Sequence, residues 1–422
     1  MKISVYTPTH KPRFIAEAYR SLRDQSVRDW EWILLLNGGT SENDLPRQVT
    51  DDERVKIRHV PSVRGVGDAK ARCLELARGD CFLELDHDDL LHPDALLETL
   101  RAFETGARFV YSNTCRITED GEPETSEYNP NHGWQYRPFD YNGKTYKECL
   151  SFPPTPQAMS YIWYMPNHLR AFTRDLYEAA GGYNRELRVC DDQDLMQRMY
   201  IRDPGFYHIE KPLYFQRIHR KQTQVVHNAE IQTKTREYYK QNINAIMLSW
   251  AKYNDLPALD MGAAHRKTPG YLAVDRREVE GVDIVCDCNG RMPFDDNSVG
   301  VIRAVDFMEH IRDSVHLMNE FHRVLVHGGM LLSMTPSTDG RGAFQDPTHV
   351  SFWNENSFWY YTKDHMRNFV PEITARFQVS HIETGFPNDY CRQYNIPYVT
   401  ANLSAIKQPD RLPGILETSM PQ

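Results

Sequence analysis

Short apolar runs separated by amphipathic stretches organise the first hundred residues. Ile3 to Tyr6 and Trp32 to Leu36 are short, largely apolar segments, the pattern of strands buried on both faces of a parallel sheet. Between them Ile15, Ala18, Tyr19 and Leu22 recur at helical spacing, and Pro93 to Phe103 carries a second stripe through Leu96, Leu97 and Leu100. A third buried strand, Cys81 to Leu85, runs directly into Asp86-His87-Asp88-Asp89. Strand and helix alternating in this way predict an α/β domain with a mostly parallel sheet. Ligands of such sheets bind at the carboxyl ends of the strands, and the acidic cluster falls at one.

Residues 120 to 168 are richer in Pro, Asn, Gly and aromatics and read as a long loop region, which compact domains seldom keep without a functional reason. A helix follows near 230 to 252, with Ile231, Tyr238, Ile243, Ile246, Met247 and Trp250 along one side. A second α/β pattern then begins. Ala258 to Gly262 and Tyr271 to Asp275 each read as a strand with its turn, and Asp283 to Asp287 and Val301 to Asp306 repeat the theme. Val315, Met318, Phe321 and Leu325 face inward on a helix from Ser314 to Val326, which Gly328-Gly329 would stop in a left-handed turn. Leu331 to Met334 is the next strand, and the proline-bearing end reads as a tail.

With 422 residues and domains of about 100–200 residues, two or three domains are expected. The predicted divisions are 1–227, a linking helix over 228–255, a second domain over 256–400 and a C-terminal tail over 401–422. Forty-nine basic against 58 acidic side chains leave −9, which argues against a broad electrostatic grip on duplex nucleic acid. Every apolar run falls far short of the ~18 residues a spanning helix needs, so no transmembrane segment is expected. The opening strand has no signal-peptide core. Eight scattered cysteines lack a zinc-ligand spacing and suit reduced thiols in a cytoplasmic compartment.

Three carboxylates on a tight turn suit an oxygen-seeking divalent ion that phosphates already half-coordinate. Taken alone, Asp88 or Asp89 suits a helix N-cap equally well. The surrounding pieces change the balance: Thr7-Pro8-Thr9, Gly65-Val66-Gly67-Asp68-Ala69-Lys70, Arg78-Gly79-Asp80, Ala180-Gly181-Gly182-Tyr183-Asn184, Asp191-Asp192-Gln193-Asp194-Leu195 and Arg217-Ile218-His219. In order and spacing, residues 1 to 225 resemble the family 2 inverting glycosyltransferases with the GT-A fold, the nucleotide-diphospho-sugar transferase fold. The resemblance implies that Asp86, Asp88 and His219 hold Mn²⁺ or Mg²⁺ against the diphosphate of a nucleotide-sugar donor. It places Thr7 and Asn37 at the nucleoside and Lys70 at the base or phosphates. Asp192, with Asp191 beside it, takes the place of the base that deprotonates the acceptor hydroxyl. Asn37 stands where many members carry a base-reading carboxylate, so the nucleotide base stays open. On helical grounds alone Asp191 and Asp192 would cap the following helix and Asp194 would pair with Arg198.

Asp260-Met261-Gly262 and Asp275 look like the first turn and the second-strand acid of a Rossmann-like sheet, which meet a cofactor and its ribose. With Asp287-Cys288-Asn289, Asp306-Phe307-Met308-Glu309-His310 and Asp346-Pro347-Thr348-His349, residues 257 to 385 resemble class I S-adenosylmethionine-dependent methyltransferases. The resemblance puts Gly262 at the methionine part of S-adenosylmethionine, Asp275 at the ribose and Asp287 at the adenine amine, with His310 or His349 as a base. The expectation is a bifunctional transferase: a metal-dependent glycosyltransferase, coupled to methylation of its glycan, acting on a glycan or another hydroxyl acceptor. Two alternatives stay open, an inactive second domain serving acceptor binding or oligomerisation, and a non-enzymatic sugar-binding scaffold. Trp134, Tyr136, Trp163 and Tyr164 are candidate stacking platforms for a sugar and equally candidates for packing.

Overall fold

A computed structural model describes residues 1–128, 133–160, 165–219, 222–264 and 266–408. The chain divides into two compact units, 1–242 and 243–422. The predicted linking helix is present as Asn228–Tyr253, and the division falls inside it rather than at its ends.

The first unit is built on β1 (Ile3–Thr9), β2 (Trp30–Leu36), β3 (Val55–His59), β4 (Cys81–Glu84), β5 (Leu90–Leu91), β6 (Phe109–Ile117), β7 (Tyr136–Tyr141), β8 (Lys144–Cys149), β9 (Arg170–Thr173) and β10 (Phe206–Arg217). Among the described residues they form one sheet in the order β3-β2-β1-β4-β9-β6-β10-β5, with the β7-β8 hairpin paired to β6. The four strands from β3 to β4 are mutually parallel, whereas β9 runs antiparallel to both its neighbours. All seven residues of β2 are buried, because helices cover both faces. Its alternation shows which face each side chain serves: Trp32, Leu34 and Leu36 join the core with Ile15 and Leu22. Ile33 and Leu35 join the opposite core with Leu74 and Phe82.

Two distant pieces of the sequence pattern meet through glycines. A β-carbon on Gly67 would strike the carbonyl of Asn184, and one on Gly65 would strike that of Leu187. The start of the helix Val66–Leu76 therefore packs directly on the loop after Gly181-Gly182.

Two expectations need correction, and one open alternative, stacking platform or packing at Trp134, resolves to packing. The stretch 120–168 is not one long loop, because β7 and β8 pair across Asn142-Gly143, both at positive φ. Trp134 is packing: it is buried against Phe152 and Tyr128, and the Tyr136 hydroxyl accepts from the Tyr128 amide. Trp163 and Tyr164 lie outside the described residues. Residues 401–405 belong to a strand rather than a tail, with most of the remaining predicted tail, 409–422, outside the described residues.

The second unit contains β11 (Ala258–Met261), β12 (Leu272–Asp275), β13 (Ile284–Val285), β14 (Val299–Val305), β15 (Leu325–Pro336), β16 (Phe377–Gly385) and β17 (Tyr398–Ala405). Their order is β13-β12-β11-β14-β15-β17-β16, parallel through β15 and antiparallel beyond it. The helix Ser314–Val324 ends without a glycine cap: Leu325 turns extended at once and pairs with Val299. Gly328, at φ +78, lies inside β15, where the register with β14 shifts.

Candidate active site

The carboxyl ends of β1, β2 and β4 open onto a cavity of about 780 Å³ in the first unit, a size that suits a nucleotide-sized ligand. The acidic turn is fixed from behind. Leu90 and Leu91 pair antiparallel with Phe215 and Tyr214, so the chain returns to the sheet straight after Asp89. Arg217, fully buried, donates its main-chain N–H to Asp89 Oδ1 at 2.7 Å. Its guanidinium reaches the carbonyls of Asp88, Thr118 and Glu119 and the Glu17 carboxylate. Arg217 thus holds the backbone of the turn, and the Tyr214 hydroxyl accepts from the Asp86 amide at 3.1 Å.

The predicted cation ligands are only partly gathered. Asp88 Oδ2 and His219 Nε2 are 2.8 Å apart, while no triad of ligand atoms within 4.8 Å includes them with Asp86 among the described residues. Asp88 and Asp89 cap no helix: the helix Ala95–Glu104 starts after Asp94. Burial, then the neighbouring Glu84, pushes the Asp86 carboxyl up. Burial and the charges of Asp88 and Asp86 push Asp89 well above the usual carboxylate range. Anionic charge is in excess here, which a cation would relieve.

Across the cavity stand Asp191 and Asp192, in the first turn of the helix Asp191–Arg202. Neither is the N-cap, which is Cys190, and the expected Asp194–Arg198 pair is present. Asp192 is half-buried and accepts from Arg170 Nη1 at 2.6 Å and from the Gln193 amide at 2.8 Å. Although burial opposes it, Arg170 holds the Asp192 carboxyl below its ordinary value. Asp191 lies deeper, 2.9 Å from Lys70, and burial outweighs that cation, raising its carboxyl to about 6.

Lys70 is not directed at a base or phosphate as the sequence pattern implied. It lies buried between Glu84 and Asp191, and these carboxylates overcome the penalty of burial and hold the ammonium well above its usual range. Glu84 also faces His168 at 3.4 Å. Against its burial, Lys70, His168 and Arg170 keep it well below the carboxylate range. Thr7 is displaced from its expected role too. Its hydroxyl donates to the Leu85 carbonyl at 2.6 Å and accepts from Trp32 Nε1 at 2.8 Å, so it ties β1 to β2 and β4 and does not line the cavity. Asn37 does line it, and its buried Oδ1 has no hydrogen-bond partner among the described residues.

Glu84, His168 and Arg170 escaped the sequence reading. A signal was available for Glu84, a charged residue set within the apolar run Cys81 to Leu85, since buried charge is costly unless it is paired. His10 and His87, edge to face at 5.9 Å, also line the cavity.

In the second unit Gly262 follows β11 at φ +70, and an added β-carbon would meet the Phe307 ring at 3.0 Å. Asp275 ends β12 and braces that turn, Oδ2 accepting from the Ala264 amide at 3.3 Å and Oδ1 from the Arg277 amide at 2.9 Å. Asp287 follows β13, exposed, with Oδ1 accepting from the amide and side chain of Asn289. Gly262, Asp275 and Asp287 therefore lie at the carboxyl ends of three adjacent strands.

Residues 4–162 match the family described as glycosyl transferase family 2, and residues 233–333 match one described as a methyltransferase domain. The chain carries a family 2 glycosyltransferase domain followed by a methyltransferase domain. Among curated proteins it is similar to the uncharacterized protein y4gI of Sinorhizobium fredii, 27% identical over 221 residues, 50% of this chain and 22% of that protein. It is also similar to chondroitin synthase of Pasteurella multocida, 23% identical over 297 residues, 68% of this chain and 27% of that protein. The chain thus spans about a quarter of the length of these two relatives. Solved structures that align with it include a fragment of TarS from S. aureus with UDP, at 14% identity and a TM-score of 0.42 over 60% of this chain and 71% of that one. Another is the mannosyltransferase PcManGT of Pyrobaculum calidifontis with GDP-Man and Mn²⁺, at 13% identity and a TM-score of 0.39 over 64% and 76%.

Proposed function

We propose that the first unit is a metal-dependent inverting glycosyltransferase that moves a sugar from a nucleoside diphosphate to an acceptor hydroxyl. The observation that carries this reading is the placement of two acidic groups, Asp86 to Asp89 and Asp191 to Asp192, around one cavity of about 780 Å³. Asp86, Asp88 and His219 would hold Mn²⁺ or Mg²⁺, and the excess anionic charge at Asp86 and Asp89 fits such an ion. The ion would neutralise charge developing on the departing diphosphate. Asn37, with its unpartnered amide oxygen, offers a hydrogen bond to the nucleobase. Asp192 accepts the proton of the acceptor hydroxyl: it is half-exposed to the cavity, and Arg170 keeps it ionised and aimed. Asp191, Glu84 and Lys70 form the buried charge network beneath it.

The second unit is read as the S-adenosylmethionine-dependent methyltransferase that modifies the glycan. Its parallel strands present Gly262, Asp275 and Asp287 along one edge, the crevice where nucleotide-like cofactors lie. Methyl transfer asks mainly for alignment of donor and acceptor.

Thermal-shift measurements on the full chain test both halves, using UDP, GDP, CDP and dTDP with and without Mn²⁺, and S-adenosylhomocysteine. A ligand at ~100 times its Kd stabilises by about 2.7 kcal/mol. A Mn²⁺-dependent rise with one nucleotide, lost in Asp88→Ala, is expected, and a separate rise with S-adenosylhomocysteine. Silence from every nucleotide overturns the glycosyltransferase reading.

A further inference from the structure

A three-residue turn, Met308–His310, follows β14 in the second unit and carries Glu309 and His310. His349 comes from the loop after the helix Gly342–Gln345. Ligand atoms of Glu309, His310 and His349 all lie within 4.8 Å of one another, the one such set of three His, Cys, Asp or Glu among the described residues. The loop is held against the turn by its backbone: the amides of Val350 and Ser351 both donate to the Glu309 carbonyl, at 2.8 and 3.1 Å. The Ser351 hydroxyl donates to the Met308 carbonyl at 2.9 Å.

Both imidazoles are oriented by their second nitrogen. His349 Nδ1 faces the Ala343 carbonyl at 3.0 Å. His310 Nδ1 faces the Thr348 carbonyl at 3.2 Å and the Thr348 hydroxyl at 3.1 Å. A carbonyl can only accept, so Nδ1 carries the proton in each neutral ring and Nε2 keeps its lone pair. Metal-bound histidines are oriented in this way, by a hydrogen bond from the nitrogen that does not bind the ion. Glu309 is buried, Oε2 accepts from the Thr335 hydroxyl at 2.6 Å, and no Arg or Lys among the described residues pairs with it. A buried carboxylate without a cation is costly, and a bound cation would remove that cost.

We propose that Glu309, His310 and His349 hold a divalent transition metal. Two imidazoles with one carboxylate favour Zn²⁺, Co²⁺ or Fe²⁺ over Mg²⁺ and Ca²⁺, which prefer all-oxygen shells. Tetrahedral donors at about 2.1 Å from one ion stand about 3.4 Å apart, so the trio, whose ligand atoms lie within 4.8 Å of one another, closes by at most about 1.4 Å as it binds. Three protein ligands leave positions open. β11 lies between β12 and β14, so the crevice of this sheet opens at the carboxyl ends of β11 and β14, and the trio follows β14. An acceptor hydroxyl bound to the ion would lose its proton more readily. That role rests on the methyltransferase reading, whereas the metal site does not.

Cobalt is the probe, because its visible absorption reports nitrogen and oxygen ligation directly. Full-length Asp88→Ala protein, which lacks a proposed ligand of the first unit, is titrated with Co²⁺ alone. One Co²⁺ per chain is expected, with affinity falling at least tenfold in His349→Ala and in Glu309→Gln and unchanged in His316→Ala. Glu309→Gln conserves shape, so it separates loss of a ligand from loss of the fold. Absence of Co²⁺ absorption, or equal titrations in parent and both variants, overturns the site. S-adenosylhomocysteine binding is read on the same samples: its absence with Co²⁺ bound would sink the methyltransferase reading and leave the metal site standing, and the reverse result would do the opposite.

Discussion

The two units use charge in opposite ways at the carboxyl ends of their parallel strands. In the first, Glu84, Lys70, Asp191, Arg170 and Asp192 form a continuous buried chain of opposite charges, beside carboxylates pushed up by burial. In the second, Asp275 spends its carboxylate on two backbone amides, Asp287 is exposed, and the one such cluster among the described residues is Glu309 with His310 and His349. The difference follows from the chemistry proposed for each. Handling a diphosphate and a departing sugar requires many charges held in place, and these are stable only if paired. Aligning a methyl donor requires shape and a few hydrogen bonds.

The comparison breaks most visibly at Asp192. Asp192→Asn should lower sugar transfer by roughly 10²- to 10⁴-fold, the usual contribution of an acid–base group, while the nucleotide-dependent thermal shift persists. A variant that transfers sugar normally would remove Asp192 from the chemistry and make the first unit's charges structural, as Asp275 is in the second.

Stability gives the next largest contrast. Lys70→Met leaves Glu84 and Asp191 buried without their shared cation, which should destabilise the first unit by about 3–5 kcal/mol, read as a lower denaturant midpoint. The Met side chain fills much the same space, so the loss reports charge rather than packing. The second unit contains a looser counterpart in Asp260 and Arg303, 2.8 Å apart but with the arginine partly exposed. Arg303→Met should cost less there, about 1–3 kcal/mol.

Much of this architecture is legible in the residues, and the exceptions share a cause. Apolar runs mark β1, β2 and β4, and the acids after β4, within β11 and at the end of β12 mark the carboxyl ends of strands, because burial on both faces leaves a local trace. The β7-β8 hairpin left a weak trace: Tyr136 to Cys149 mixes charged and aromatic residues, since the hairpin is half-exposed and its pairing with β6 is a long-range event. In the site, sequence order brings Asp86, Asp88, His219 and Asp192 to one cavity, whereas Lys70 and Thr7 are engaged by other side chains and carbonyls. Which neighbour occupies a side chain is decided by residues far away in the chain, Asp191 for Lys70 and Leu85 for Thr7. Glu309 was missed although it adjoins His310, because its partner His349 arrives from a loop 40 positions later.

Cofactor binding should respond more mildly. Asp275→Asn keeps the shape but trades one acceptor oxygen for a donor, so the Ala264 or Arg277 amide loses its partner and the Gly262 turn loosens. About a tenfold fall in S-adenosylhomocysteine affinity, near 1.4 kcal/mol, is expected by calorimetry, with nucleotide binding by the first unit unchanged.

The smallest effect tests the sign of the charge balance itself. Asp191 is pulled in two directions, burial raising its carboxyl and Lys70 lowering it, and burial prevails, taking it from 3.8 to about 6. An acid that binds its proton more tightly when folded contributes stability in full below pH 3.8 and loses that contribution as pH rises through about 6. Asp191→Asn removes this titration and leaves the others in place. The stability of the variant relative to the parent should therefore climb by on the order of 1 kcal/mol between pH 5 and pH 7, read from paired unfolding curves. A relative stability that stays flat across that interval would mean Lys70 prevails over burial and Asp191 is an ordinary ion-paired carboxylate, ionised in both states above pH 5. The buried chain of the first unit would then be fully charged at every working pH, and the contrast with the sparsely charged second unit would be sharper still.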